Sequence, residues 1–152
     1  MSLVQRDYIL RLIEAVAAAL ARVLGRKQAG DLVGARREVD MAITDLLGPT
    51  TRLAPMMDSR TAAALVGDAR RLAAWGMLLR EDADLLRLLS RGAEAVATER
   101  RALELLLEAR LSDGALGHDA LAALDDLRAR VDGALLEPRY REALAAPSMA
   151  NA

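Results

Sequence analysis

Carboxylates and one histidine are the side chains of this 152-residue chain that could supply acid–base or metal chemistry. The acidic residues that lie close together in the sequence form two groups: Glu81, Asp82 and Asp84, then Glu94, Glu99, Glu104 and Glu108. A di-metal helical bundle needs inward glutamates and a Glu-x-x-His spacing, and the sequence has no such motif. His118 stands in a predicted loop without a further histidine or cysteine ligand. We therefore expect solvated, arginine-paired carboxylates, an exposed His118, and neither a metal nor a cofactor.

Composition and charge exclude several other classes of function. The chain has no cysteine, so it can form neither a disulfide nor a thiolate nucleophile. No glycine-rich loop has the lysine and the spacing of a phosphate-binding P-loop. The 21 basic and 22 acidic residues give a net charge of −1, which is too balanced to attract nucleic acid over a long range. These features predict a cytoplasmic protein that does not bind nucleic acid.

Leu12–Leu24 is the one segment that could pass for a signal sequence or a membrane anchor. Glu14 and Arg22 interrupt it. A membrane span would instead be an unbroken apolar sequence of about 20 residues. The segment therefore predicts an amphipathic helix of a soluble protein, and we expect no membrane partner.

Leucine and alanine dominate a chain that is 53 % hydrophobic but only 2 % aromatic. Both are strong helix formers, whereas the residues that favour strands are sparse. Apolar residues recur at helical spacing along most of the chain. The helices that this pattern predicts are 5–26, 32–47, 60–66, 70–89, 93–111, 119–135 and 139–145. The predicted fold class is therefore all-α.

The predicted helices form a single domain over residues 1–146. Short turns between long helices predict two antiparallel hairpins, at 5–47 and 68–111, joined by a connector at 48–67. Helices within 119–146 would cover the hairpins, and residues 147–152 would form a flexible tail. The expected N-caps and helix stops are Ser2 with Gln5, Asp31, Gly48, Asp58 or Ser59, Gly67, Asp68 and Asp119, with a loop at Ser112-Asp113-Gly114.

The hairpin at 68–111 has the clearest packing pattern. Ala95, Ala102 and Ala109 recur every seven residues, and small residues at this spacing let a neighbouring helix approach closely. On the polar side, Arg80 and Arg87 are both positioned to pair with Asp84. The apolar stripes predicted for the long helices also include Leu24, Val96, Leu111 and Leu135.

The two hairpins resemble tetratricopeptide units. Gly30 is followed by Ala35, Val39 and Ala42, which is the small, large, small spacing of the second half of such a unit. Trp75 and Leu78 match the W-x-x-L that opens one, although the glycine and tyrosine expected next are Leu79 and Asp82. The resemblance implies a tetratricopeptide-like, right-handed stack of antiparallel helical hairpins with C-terminal covering helices.

The run Asp7-Tyr8-Ile9-Leu10-Arg11, followed by Ile13-Glu14, resembles the N-terminal signature of a bacterial all-helical family known as a domain of unknown function. The likeness extends over about residues 5–111, and the segment after residue 112 has no counterpart in it. The resemblance implies a tetratricopeptide-like fold and no established activity, substrate or cofactor.

Four residues are candidates for a binding role. Tyr8 and Arg11 lie at the start of the first helix, and in a stack of two hairpins such side chains often line the concave face. The alternative for Tyr8 is a core position with its hydroxyl at the rim. Arg71 and Trp75 complete the set, although Trp75 lies on an apolar stripe and is most simply explained as a core residue.

These observations predict a non-enzymatic protein–protein interaction module. Its groove would receive a peptide or helix of a partner protein, and a leucine-rich stripe on the C-terminal helices could form a homodimer. The alternative is a small-molecule-binding or catalytic helical bundle that uses arginine and glutamate residues of the groove. A nucleic-acid adaptor that works through Arg36-Arg37, Arg70-Arg71 and Arg100-Arg101 is the third and weakest alternative.

Overall fold

The chain is all-helical in the computed structural model, which describes residues 2–113 and 115–146. The α-helices are α1 Leu3–Gln28, α2 Leu32–Leu47, α3 Ser59–Val66, α4 Ala69–Leu88, α5 Gly92–Asp113, α6 His118–Arg130 and α7 Pro138–Ala145. Short 3-10 turns occupy Gly48–Arg52, Ala54–Met56 and Gly133–Leu135. The predicted flexible tail at 147–152 lies outside the described residues.

Most helix boundaries follow the capping residues that the sequence indicates. Ser2 and Gln5 form a reciprocal capping box at the start of α1. The carboxylates of Asp31, Asp58 and Asp68 accept backbone N–H groups at the starts of α2, α3 and α4. Gly67 ends α3 in the left-handed conformation that favours glycine, with φ of 77°. These local signals therefore set the positions at which the chain turns.

Two boundaries in the C-terminal part differ from the prediction. α5 continues to Asp113, so the expected loop residues Ser112 and Asp113 are helical, whereas Gly114 lies outside the described residues. α6 begins at His118 with Gly117 as its N-cap and ends at Arg130 rather than near Leu135. Asp132 explains the early end, because its carboxylate accepts the backbone N–H of Ala134 and caps a separate 3-10 turn.

The α4–α5 hairpin forms the centre of the core. Ala95, Ala102 and Ala109 are all fully buried, which confirms the predicted row of small residues. Gly76 of α4 faces this row: a Cβ atom on it would lie 3.1 Å from the carbonyl oxygen of Ala102 and 2.9 Å from Cγ of Leu106. The close approach of the two helices therefore depends on glycine as well as on alanine.

The other helices surround this hairpin. α1 pairs with α2, and both contact α4; α3 and α7 contact α5, and α6 contacts both α4 and α5. The stripes predicted for the long helices are too wide, since Leu24, Val96, Leu111 and Leu135 are between 42 % and 53 % exposed. No neighbouring helix covers these four side chains.

The predicted ion pairs within α4 are also wrong. Arg80 pairs with Asp126 of α6, at 2.6 Å, and with its neighbour Glu81 at 3.1 Å. Asp84 pairs with Arg130, at the end of α6. Because α6 lies beside this face of α4, its charged residues supply the partners that helical spacing alone assigned within α4.

Candidate binding groove

A depression lies where the start of α1 meets the turn between α3 and α4. It has a volume of about 480 Å³ and is open to solvent. The residues that line it are Gln5, Tyr8, Ile9, Val66, Gly67, Asp68 and Arg71. Its floor is apolar, from Ile9 and Val66, and its rim is polar, which is a usual composition for a protein-binding surface.

Three further depressions are linked to this one by shared lining residues. The second, of about 410 Å³, shares Gly67 and Asp68 with the first and reaches Arg6 and Asp113. The third, of about 440 Å³, also includes Gly67. It shares Arg60, Leu111 and Arg139 with the fourth, of about 410 Å³, which ends at α7. We call the four together the Gly67 groove, because Gly67 borders three of them.

The predicted residues Tyr8 and Arg71 meet in the Gly67 groove. The Tyr8 side chain is 57 % exposed, so the alternative of a core position for it is wrong. Arg71 donates from Nε and Nη2 to the carbonyl oxygen of Leu46, at 3.1 and 2.7 Å. That carbonyl lies in the last turn of α2, where the helix itself leaves carbonyl groups without a donor. Arg71 therefore fixes the end of α2 and forms one wall of the groove.

Trp75 and Arg11 lie outside the groove. Trp75 is only 2 % exposed and is part of the core. The guanidinium of Arg101 lies over its ring, 5.3 Å from the centroid, and donates to Ser59 Oγ at 3.0 Å and to the carbonyl oxygen of Ala54 at 3.0 Å. Trp75 and Arg101 thus join the connector to the central hairpin. Arg11 is exposed on α1 and does not line the groove.

Several carboxylates are buried, although the sequence predicted solvated acidic faces. Asp82, Glu99 and Glu108 are 7 %, 1 % and 5 % exposed, so the prediction is wrong for these three. Each accepts a hydrogen bond from an arginine of another helix: Asp82 from Arg36, Glu99 from Arg87, and Glu108 from Arg139. The pairing with arginine was predicted correctly. The three guanidinium groups are themselves partly exposed, with side chains 26–46 % accessible, and their hydrogen bonds offset the cost of burying the carboxylates.

Glu108 shows how such a group is held. Burial alone would raise the pKa of the Glu108 carboxyl, but the hydrogen bonds from Arg139 and Tyr140 outweigh it and leave the pKa below its usual value. Both oxygens of Glu108 accept from Arg139, at 2.8 and 2.9 Å, and the Tyr140 hydroxyl donates at 2.9 Å. Burial and the bond to Glu108 raise the pKa of Tyr140. This carboxylate stays ionised and fixes α7 against α5, so its lone pairs are engaged in structure.

Two arginines at the rim of the groove have no such role. Arg6 borders the second depression, and Arg60 borders the third and the fourth. Both are exposed, and within residues 2–113 and 115–146 neither side chain makes a hydrogen bond or an ion pair. The Arg60 charge helps to lower the pKa of the Glu108 carboxyl, but neither guanidinium is engaged in a hydrogen bond, so both have donors available to an anionic group of a ligand.

The groove combines parts of the chain that are distant in sequence. The sequence reasoning found Tyr8 and Arg71 but missed Gly67, Arg60 and Leu111. The available signals were the helix stop at Gly67 followed by the cap at Asp68, which place an exposed turn there, and Leu111 at the end of an apolar stripe.

The described part of the chain has neither a metal-binding cluster nor a membrane-spanning helix. It has no group of three or more histidine or acidic residues placed to hold a metal ion, and His118 is an exposed residue at the start of α6. Among the same residues, no helix combines the length and the apolar character needed to cross a membrane.

Comparison with known proteins identifies no relative. The chain matches no protein-family model, no curated protein and no solved structure.

Proposed function

We propose that the protein is a non-enzymatic interaction module that binds a segment of a partner protein in the Gly67 groove. The observation that supports this most is the continuity of the groove, in which neighbouring depressions share lining residues over the distance from α1 to α7. A chain segment fits such a shape, since it can occupy consecutive sites along one path.

The open form of the groove favours a peptide over a small molecule. Sites for small ligands usually enclose 70–90 % or more of the ligand surface. The four depressions are open to solvent, and they mix apolar floor residues with charged rim residues. Buried carboxylates that could serve as acids or bases accept hydrogen bonds from arginine. The groove therefore offers contact area and a few charges, which suit recognition.

The free charges at the rim suggest the composition of the segment. Arg6 and Arg60 offer guanidinium groups, and Tyr8 offers an exposed aromatic ring of the kind enriched at binding hot spots. Ile9, Val66 and Leu111 provide apolar contacts. We propose that the segment pairs apolar side chains with at least one carboxylate.

The hairpin arrangement is the basis of the module. We propose that α1–α2 and α4–α5 are tetratricopeptide-like hairpins, and that the chain belongs with the bacterial family that its N-terminal run resembles. Burial of Ala35, Val39 and Ala42, which follow Gly30 at tetratricopeptide spacing, supports the first part. The contacts of α4 with both α1 and α2 are those expected when a second hairpin stacks on a first.

Selection from a random peptide library tests the proposed function. Peptides selected on the wild-type chain should lose at least about tenfold in affinity for Tyr8→Ala and for Arg60→Ala, since removal of a hot-spot side chain costs about 2 kcal/mol. Leu88→Ala is the matched control, because Leu88 is similarly exposed, at 55 %, but lies outside the groove. Failure to select any binder, or binders that tolerate both groove variants, would refute the proposal.

A further inference from the structure

α1 has two apolar sides, and only one of them is covered. The covered side includes Val16 and Val23 and packs against α2 and α4. The second side, which we call the outer strip, consists of Leu3, Leu10, Ala17 and Leu24. The leucines of the outer strip are 77 %, 49 % and 53 % exposed, and Ala17 is also exposed. The first helix of the chain therefore presents an unpartnered apolar surface along its length.

The spacing of the outer strip is typical of a helix that packs against another helix. Its members are seven residues apart, which is close to two helical turns, so they form one line along α1. Ile13 and Leu20, which are partly buried, border this line on the side that faces the core. A strip of this kind is a seam for a second helix.

We infer that the outer strip pairs with the outer strip of a second copy of this chain, with the two α1 helices antiparallel. The order of residues supports this, because it is nearly symmetric about the middle of the strip. Reversing the helix direction places Leu3 opposite Leu24 of the second copy and Leu10 opposite Ala17 of the second copy. Leu10 of each copy then packs against the small Ala17 of the other, once on each side of the two-fold axis.

Charge complementarity favours the same arrangement. Arg11 and Glu14 lie beside the outer strip near the middle of α1, and both are exposed. Neither side chain makes an ion pair or hydrogen bond in the described part of the chain. In the antiparallel pairing, Arg11 of each copy lies about two residues, or roughly 3 Å along the axis, from Glu14 of the other. The symmetry repeats this pair, so a self-association forms two ion pairs.

The contact area sets the expected strength. One side of a single helix of 26 residues supplies fewer residues than the roughly 20–30 on each side of a standard interface. We therefore expect a dimer with a dissociation constant in the micromolar range. Tyr8 is about 160° from Leu10 around α1, so the dimer leaves the part of the groove that Tyr8 lines open, whereas Arg6, about 40° from Leu10, lies beside the seam.

The C-terminal helices, whose leucine-rich stripe is the possible homodimer surface that the sequence suggests, provide a weaker surface for a dimer. The only large apolar residue that is exposed between His118 and Ala146 is Leu135. The outer strip of α1 has three such residues in line. The structure thus favours α1 over the C-terminal helices as the surface between copies.

Sedimentation equilibrium of the full chain over micromolar to millimolar concentrations tests the inference. Wild type should dimerise, and Arg11→Glu or Glu14→Arg should each weaken the dimer about tenfold, because two attractive pairs become repulsive. The double variant Arg11→Glu with Glu14→Arg should recover most of the lost affinity, which a purely structural effect of either change would not produce.

Apolar substitutions give an independent check in the same experiment. Leu10→Arg should abolish the dimer, whereas Leu88→Arg, at a similarly exposed leucine of α4, should leave it unchanged. Circular dichroism confirms that each variant is folded. A wild-type chain that stays monomeric at millimolar concentration, or a double variant no better than its parents, would overturn the inference.

Discussion

Replacing Gly76 by alanine should destabilise the protein, although the same change favours most helices. Gly76 lies within α4 and faces α5. The added Cβ would be 2.9 Å from Cγ of Leu106 and 3.1 Å from the carbonyl oxygen of Ala102. The first distance is shorter than Cβ atoms tolerate, and the second involves the backbone of α5, which cannot rotate away. Either the two helices separate slightly or Leu106 leaves its rotamer.

Two opposing effects determine the magnitude. Alanine is favoured over glycine within a helix by about 1 kcal/mol. Overpacking of a tight core costs about 1–3 kcal/mol. The upper part of that range applies here, since one contact is with the backbone and the other is with a branch-point carbon. The net loss in free energy of unfolding should therefore be about 1–2 kcal/mol, or roughly 2–8 °C in Tm for a chain of this size.

Gly25→Ala is the matched control in α1. No atom lies within 4 Å of the position that its Cβ would occupy. The helical preference for alanine then acts without a steric cost, and the free energy of unfolding should rise by about 0.5–1 kcal/mol. Urea denaturation of the wild type and both variants compares them directly. Equal or greater stability of Gly76→Ala relative to the wild type would refute the proposed close contact of α4 and α5.

Three further predictions concern the buried charges and the tryptophan. Asp82→Ala should lower the free energy of unfolding by about 1–3 kcal/mol, because the partly buried Arg36 loses its bidentate partner; urea denaturation of the variant measures this, and an unchanged midpoint would contradict it. Glu108→Gln should lower the free energy of unfolding by about 1–3 kcal/mol at pH 7. Because the pKa of Glu108 is lowered from 4.5 in the folded chain, the stability that its charge provides is complete above about pH 4.5 and is lost as the pH falls through the folded pKa. The difference in free energy of unfolding between wild type and variant should therefore narrow in that range. A difference that does not change with pH would show that the Glu108 charge does not stabilise the fold. Trp75 fluorescence should be blue-shifted and poorly quenched by acrylamide in the folded chain, since the ring is buried; quenching equal to that in urea would place it at the surface.

The helix boundaries were predictable because their causes are local. Asp31, Asp58 and Asp68 each accept an N–H from a residue two or three positions later, so the sequence contains both partners within one turn. Gly67 ends α3 for an equally local reason, the positive φ that glycine tolerates. Spacing alone also identified the row of small residues on α5, since burial repeats with the helical period.

The ion pairs between different helices were not predictable, because their partners are distant in sequence. Arg36 and Asp82 are 46 residues apart, as are Arg80 and Asp126. A charged residue that lies off the apolar stripe of a helix is predicted to face solvent when its partner on another helix is not known. This is why Glu99 and Glu108, which are buried, were predicted to be solvated. The Gly67 groove was missed for the same reason, because four remote segments create it.

Amide hydrogen exchange of the wild-type chain, with and without a saturating peptide selected from the library, tests the central claim most directly. Binding in the Gly67 groove should slow exchange within the segments that line it, which are residues 5–9, 60–72, 108–113 and 139–146. Exchange at the hairpin turn of α4 and α5, on residues 87–93, should remain unchanged. A bound peptide that slows exchange only outside those four segments would contradict the assignment of the groove as the binding site.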